Sequence, residues 1–277
     1  MKVLITGIAG FLGRNLIQEF TNHDLFGLDI NNDFIDGIEV FASSDLDKIN
    51  EKPDVIIICH AAISSGIIAA SSDSLYEVNV ALTKKIVKKF TESSIIYVST
   101  ASIYDINENP FQENSRIQPQ SEYAISKLWA ENIVSKNKKS IIIRLSSLYG
   151  IGMKENTILP NYINQALSNK KINIWGNGQR KQNYIHVSDV VKFIKTIVEN
   201  SVSHFGEKFL VVDKKEYTNL ELANIIAQVT QSEIIFTQQD NSKSYIYNNK
   251  YTQTKTNWQP IANFEEKIIE YIKWKQK

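Results

Sequence analysis

Cysteine is the scarcest chemistry in this chain: Cys59 stands alone among 277 residues. One thiol cannot close an internal disulfide, so a disulfide-stapled secreted scaffold is excluded and a reducing, cytoplasmic setting is expected. Its place at the end of the apolar run Asp54–Cys59 makes it a small core residue. Neither sign of charge is in excess, with 31 Lys and Arg against 30 Asp and Glu. Without a global field or a basic stripe, nucleic acid and anionic membrane surfaces are not expected partners. No apolar stretch approaches the ~18 residues that span a bilayer. The first apolar run is broken by three glycines and Arg14, and no small-residue cleavage site comes after it, which argues against a signal peptide. There is no internal repeat, no low-complexity linker and no expected metal site. The length suits one large domain or two of unequal size.

The opening thirteen residues, Met1-Lys-Val-Leu-Ile-Thr-Gly-Ile-Ala-Gly-Phe-Leu-Gly13, organise the rest of the chain. Lys2 to Thr6 read as a strand buried on both faces of a parallel sheet. Gly7, Gly10 and Gly13 come next, and Arg14 to Phe20 begin a helical pattern. A strand turning through glycines into a helix leaves backbone N–H groups at a positive dipole end, which suits a pyrophosphate. A Cβ there would block close approach of the cofactor. The bland alternative is a tight turn and nothing more. An acidic residue about 20 residues on separates the two readings, and Leu25-Phe-Gly-Leu-Asp29 supplies Asp29. Its carboxylate can accept from both adenosine ribose hydroxyls and would repel a 2′-phosphate. No Arg or Lys lies between Asp29 and Lys48, so NAD is favoured over NADP.

Further along, an Asn/Asp-rich loop leads to a short strand around Ile38–Phe41. Ser43-Ser-Asp-Leu-Asp47 is a candidate cap for the next helix, with Asp45 either capping or accepting from the adenine amino group. Asp54 to His60 is another buried strand, running into the small residues Ala61 and Ala62. Ser72 to Phe90 reads as a helix with Leu75, Val78, Leu82, Ile86 and Phe90 on one face, and Asn79 beside that face needs a partner, most simply backbone. Ile95 to Val98 is a strand ending in Ser99-Thr-Ala-Ser102, hydroxyls placed where open α/β sheets bind ligands. Lys139 to Leu145 is the next strand. Helices around Ile158–Asn169, Ser188–Asn200, Asn219–Thr230 and Asn263–Trp274 then alternate with strands near Ile172–Trp175, Tyr184–Val187, Lys208–Val212 and Ile234–Phe236.

Tyr123 and Lys127 fall at i and i+4, on one face of a helix. On its own this is a common surface pair. Beside a dinucleotide site it has chemical meaning: a nearby lysine favours the phenolate, a cationic nicotinamide lowers the tyrosine pKa further, and such a tyrosine shuttles protons near neutral pH.

Taken together, these residues resemble the extended short-chain dehydrogenase/reductase family, in its NAD-dependent nucleotide-sugar epimerase/dehydratase branch. The resemblance runs almost the full length. It is carried by Thr6-Gly-Ile-Ala-Gly-Phe-Leu-Gly13, His60-Ala-Ala62, Val78-Asn79-Val80, Ser99-Thr-Ala-Ser-Ile-Tyr104, Tyr123-Ala-Ile-Ser-Lys127, Arg144-Leu-Ser-Ser-Leu-Tyr-Gly150, Gly176-Asn-Gly178 and Tyr184-Ile-His-Val-Ser-Asp189. It implies an α/β fold: a Rossmann-type doubly wound parallel sheet over residues 1–150 and a small C-terminal α/β substrate-binding lobe over 151–277, with about 183–200 returning to the first domain.

The resemblance also implies roles. Tyr123 is the acid/base, Lys127 holds the nicotinamide ribose and depresses the tyrosine pKa, and Thr100 bonds the sugar oxygen that is oxidised or reduced. The cofactor set is Gly7, Gly10, Phe11, Leu12, Gly13, Asp29, Ile30, Asp45, Leu46, Ala61, Ala62, Asn79 and Ser99, with Tyr123 and Lys127. The substrate set is Ser102, Ser147, Thr157 and Arg180. Ser147 stands where relatives carry Asn. Gln182 replaces the diphosphate-clamping Arg, and Arg180, two residues earlier, is its expected substitute. The 4,6-dehydratases carry Asp-Glu where this chain has Ala101-Ser102, which cannot ionise, so elimination is not expected. What remains is 4-epimerisation of a nucleoside-diphosphate hexose through a transient 4-keto intermediate. The alternatives are reduction of a nucleotide-linked 4-keto-sugar and, more remotely, a non-catalytic dinucleotide sensor. A homodimer through the Ser72–Phe90 face is implied by resemblance alone.

Overall fold

Val3 to Ile5, Ile56 to Ile58, Ile95 to Ile96 and Ile141 to Ile143 are apolar, mostly β-branched and almost wholly without exposure, the composition of strands covered on both faces. The computed structural model describes residues 1–63 and 70–277. Its strands are β1 (Lys2–Thr6), β2 (Asp24–Asp29), β3 (Asp33–Ile35), β4 (Ile38–Ala42), β5 (Val55–Ile58), β6 (Ser94–Thr100), β7 (Ser140–Leu145), β8 (Ser147–Tyr149), β9 (Lys171–Trp175), β10 (Lys181–His186), β11 (Lys208–Val211), β12 (Glu216–Thr218) and β13 (Glu233–Thr237). The α-helices are α1 (Phe11–Glu19), α2 (Ser72–Ser74), α3 (Thr83–Lys89), α4 (Glu122–Val134), α5 (Ile158–Asn169), α6 (Val187–Glu199), α7 (Asn219–Thr230), α8 (Lys250–Thr256) and α9 (Phe264–Lys275). No described helix is long and apolar enough to cross a membrane.

Among the described residues the main sheet runs β11-β7-β6-β5-β1-β2-β4-β3. All its pairings are parallel except β3 with β4. The chain winds outward from β1 in both directions, so the carboxyl ends of β1, β2, β5 and β6 share one edge and a crevice opens beside β1, where such sheets bind ligands. The β3–β4 hairpin turns on Asp36 (φ 51°) and Gly37 (φ 80°), the paired left-handed geometry of a tight Asp-Gly turn. A strand at β4 is expected from the sequence, whereas its antiparallel partner β3 is not.

Two further expectations are corrected. Residues Leu75–Leu82, between α2 and α3, are wound as π-helix. The wider i→i+5 turn rotates the apolar face, so Asn79, Val80 and Thr83 are buried while Val78 and Leu82 are only half-buried. Ser43–Lys48 is itself a short 3-10 turn whose cap position, Ala42, has no side-chain bond. Asp45 therefore does not cap; its carboxylate accepts from Asn32 and pairs with Lys48 at 2.9 Å.

The later chain reaches the first core in other pieces than 183–200. β11 pairs with β7, and α6 packs on α1, while β10 belongs to the small sheet β12-β10-β8. The second core gathers α5, α7 and α9 around Tyr149, Tyr184, Tyr217 and Phe264. Phe11, at the start of α1, packs against both cores.

Candidate active site

Gly7 has φ 72°, and a Cβ there would lie 2.7 Å from His60 Cα; one on Gly13 would lie 2.4 Å from the Gly7 carbonyl oxygen. Both glycines are thus required by close packing of the protein against itself. That is a reason for these glycines beside the expected one, close approach of a cofactor. Gly10 is the exception: its added Cβ would meet only the Gly7 carbonyl oxygen, at 3.0 Å, leaving an open side at the amino end of α1. Leu12 and Gly13 are buried in the first turn. Asp29, at the carboxyl end of β2, accepts from Ala9 N and Ile30 N, both at 2.8 Å. It therefore ties the glycine turn to the strand end where a ribose would lie, beside the strongly exposed Ile30. Asp45 lines a cavity of about 400 Å³ with Asn32, Phe34 and Phe41. Leu46 is a core residue packed among Phe26, Leu28 and Ile58.

Asn79 finds the backbone partner expected of it. Its amide accepts from Ala62 N at 2.8 Å, donates to Ala62 O at 3.0 Å, and donates to Ser126 Oγ at 2.9 Å. Both of its N–H hydrogens are committed, so Asn79 fixes the Ala61-Ala62 backbone from behind. Cys59, half-buried against the first core, donates from Sγ to Thr6 O at 2.9 Å, and burial pushes its thiol pKa up to about 12.

α4 packs on β6 and on the turn after it. Lys127 is almost fully buried; its Nζ donates to Val98 O at 2.7 Å and sits 4.3 Å from the centre of the Tyr97 ring. Burial pushes its pKa down to about 7. Tyr123 is half-buried, and desolvation pushes its phenol up to about 12. Desolvation is the cause, and the direction is opposite to the lowered tyrosine pKa read from the i,i+4 spacing. Thr100 Oγ1 donates to Ser102 Oγ at 3.0 Å and accepts from Ser102 N at 3.1 Å. Ser99 Oγ is buried with no hydrogen-bond partner.

The substrate set is more scattered. Ser147 is exposed at the start of β8, opposite Tyr184 of β10. Thr157 occupies the cap position of α5, yet its hydroxyl is buried without a partner. Gln182 donates to Asn219 at 3.0 Å. Arg180 precedes β10 and donates to Lys243 O at 3.4 Å. Burial pushes the phenols of Tyr162 and Tyr184 up, and the nearby Arg180 charge opposes that rise only in part. Sequence reasoning assigned no role to His60, Thr83 or Ser126, which surround Asn79; the His60-Ala-Ala62 motif was the available signal.

The crevice fits NAD on three observations. Gly10 leaves its outer side open. Ser99 Oγ is an orphaned buried hydroxyl at the strand edge. The Lys127 ammonium has further N–H groups beyond the one given to Val98.

A family model described as NAD dependent epimerase/dehydratase family matches residues 3–211. Among curated relatives, the dTDP-D-glucose 4,6-dehydratase of Dictyostelium discoideum is 29% identical over 272 residues, 83% of this chain and 62% of that protein, so the alignment spans under two thirds of that relative. The "Uncharacterized UDP-glucose epimerase YtcB" of Bacillus subtilis (strain 168) is 26% identical over 271 residues, 85% of this chain and 82% of that protein. The solved structure of UDP-glucuronic acid 4-epimerase from Bacillus cereus in complex with NAD superposes with a TM-score of 0.86 at 18% identity, covering 100% of both chains. At that identity the likeness is one of fold.

Proposed function

This chain belongs to the NAD-dependent epimerase/dehydratase family, and from that premise we propose that it is a cytoplasmic nucleotide-sugar 4-epimerase. The observation that carries the reading is the turn after β6: a hydroxyl pair, Thr100 and Ser102, with no carboxylate between them, against the helix that holds Tyr123 and Lys127. A dehydratase must move a carbon-bound proton and expel a hydroxyl, which calls for ionisable groups at that turn. An epimerase needs one proton shuttle and hydrogen bonds to one oxygen.

Gly10, Phe11 and the first N–H groups of α1 would receive the pyrophosphate, Asp29 the adenosine ribose, Ala61-Ala62 and Ser99 the inner face, and Lys127 the nicotinamide ribose. When bound, NAD supplies the hydride acceptor and returns the hydride. Tyr123 Oη takes the proton of the sugar 4-hydroxyl as the carbonyl forms and gives it back when the carbonyl is reduced from its other face. A protonated Lys127 beside it favours the phenolate. Because Thr100 gives its proton to Ser102, the free O–H of the pair belongs to Ser102, which donates to the sugar oxygen. Arg180, near Tyr162 and Tyr184, is the cation for the substrate diphosphate. Tyr76, Ile125 and Trp129, exposed on neighbouring helical segments, form the face on which a second copy docks.

The test is recovery of NAD from the purified protein, then incubation with UDP-hexoses. Bound NAD near one per chain and inversion at C4 without added cofactor are expected, and Ser102→Ala should lower the rate about tenfold to a hundredfold. Stoichiometric NADH consumption with a 4-keto-sugar would overturn the epimerase in favour of a reductase.

A further inference from the structure

After β5 the chain reaches His60, whose buried imidazole lies between two hydroxyls. Thr6 Oγ1 is 2.6 Å from Nδ1 and Thr83 Oγ1 is 3.2 Å from Nε2. A hydroxyl has one proton to give, and Thr83 gives its own to the Asn79 carbonyl at 2.8 Å. The hydrogen between His60 and Thr83 must then sit on Nε2, and Nδ1 is left to accept from Thr6. The hydrogen-bond count thus sets the tautomer. Burial together with the Lys127 charge pushes its pKa down to about 3. It is neutral throughout the physiological range.

From Thr83 the chain of bonds continues. Asn79 holds both backbone groups of Ala62 and donates to Ser126 Oγ, and Ser126 Oγ donates to Tyr123 O at 2.8 Å. At its other end Thr6 leads directly into Gly7, whose missing Cβ leaves room for the His60 main chain. π-Turns inside helices recur at functional positions. This one holds the Asn79 carbonyl where it accepts from Thr83, the residue beside the buried imidazole.

We propose that His60 is a positioning residue, the centre of a hydrogen-bond relay Thr6–His60–Thr83–Asn79–Ser126 that fixes the dinucleotide turn at Gly7 and the Ala61-Ala62 segment against the helix carrying Tyr123 and Lys127. The relay deepens the proposed dinucleotide function and rests on it. His60 acts through its two partners, Thr6 and Thr83. Replacing it outright risks the fold, so the informative change is Thr83→Val, isosteric and without the hydroxyl, with Thr83→Ser as the conservative rescue.

NADH binding, monitored by its fluorescence, reads the relay without any knowledge of the sugar substrate. Thr83→Val is expected to raise the NADH dissociation constant about fivefold to tenfold, and Thr83→Ser to restore it to within about twofold. A Thr83→Val protein that melts earlier but binds NADH as wild type does would overturn the relay and leave a packing role only. A wild-type chain that binds no NADH would overturn the dinucleotide function itself. Long-range 1H–15N spectra, with His60 assigned by elimination using His23→Gln, His186→Gln and His204→Gln, are expected to show a neutral ring protonated on Nε2. A ring protonated on Nδ1, or an imidazolium at neutral pH, would overturn the bond directions on which the relay depends.

Discussion

Arg144 meets Glu131 through two hydrogen bonds, Nε to Oε1 at 3.1 Å and Nη2 to Oε2 at 2.8 Å, with side chains only 3% and 1% exposed. Nη1 also donates to Tyr104 Oη and to Glu113 O, each at 3.0 Å. The fork joins β7 to α4, the helix that carries Tyr123 and Lys127, and to the turn beyond Ser102. Its position gives it a say in where the proton shuttle stands.

Glu131→Gln keeps the volume of that pair and removes its charge, leaving a buried guanidinium without a counter-ion. The expected cost is about 3 kcal/mol or more of stability. Chemical denaturation should show an earlier midpoint with an unchanged slope. A midpoint shift worth under about 1 kcal/mol would mean that water or the Tyr104 hydroxyl compensates the charge.

The three glycines of the first turn are expected to behave differently on substitution by alanine. At Gly13 the new Cβ meets three backbone atoms within 2.6 Å, and backbone cannot step aside cheaply, so Gly13→Ala should lose ~3 kcal/mol or fail to fold. Gly10→Ala meets one oxygen at 3.0 Å and should melt close to wild type while binding NADH at least about tenfold more weakly. Circular dichroism melts beside NADH titrations check both. Equal NADH affinity in Gly10→Ala would remove Gly10 from the cofactor site.

How much of this is legible in the sequence depends on how local each cause is. β1, β5, β6 and β7 announce themselves because burial on both faces forces unbroken apolar runs. α5 and α7 fall where periodicity puts them. α8, Lys250–Thr256, escapes because only Thr252 is buried in it, so it has no apolar stripe to read. The β3 strand escapes although Asp36-Gly37 is a strong hairpin signal. Of the candidate site residues, Asp29, Tyr123 and Lys127 are picked out by spacing. The upward shift of the Tyr123 pKa is not, because desolvation depends on what the fold packs around the phenol. His60 is hidden for a similar reason: Thr6 and Thr83 lie 54 and 23 residues away in sequence.

Tyr76 and Trp129 lie with ring centres 5.6 Å apart on the exposed face of the π-wound segment and α4, above a groove lined by Leu75, Val80 and Ile125. If a second copy covers this face, sedimentation should give a dimer for wild type, and Trp129→Glu, which sets a charge in the middle of the patch, should give a folded monomer. A wild-type monomer mass independent of concentration would refute the homodimer.

Lys127 makes a pH prediction whose sign can be worked out. Its pKa in the folded chain, about 7, lies below the ordinary 10.5 because burial disfavours the charge. Between those values the unfolded chain holds a proton that the folded chain has released, so stability rises with pH across the window, by at most about 1.4 kcal/mol per unit. Below about 7 both states are protonated and this slope vanishes. Tyr123, raised to about 12 from 10, acts with the opposite sign from about pH 10 upward, at the top of the window. Lys127→Met removes the titrating group and keeps most of the volume. The melting temperature of wild type should therefore climb relative to Lys127→Met from about pH 7 to about pH 9.5. Parallel melting curves would mean that the Val98 carbonyl and the Tyr97 ring, both in contact with Nζ, hold the ammonium charged in the folded protein.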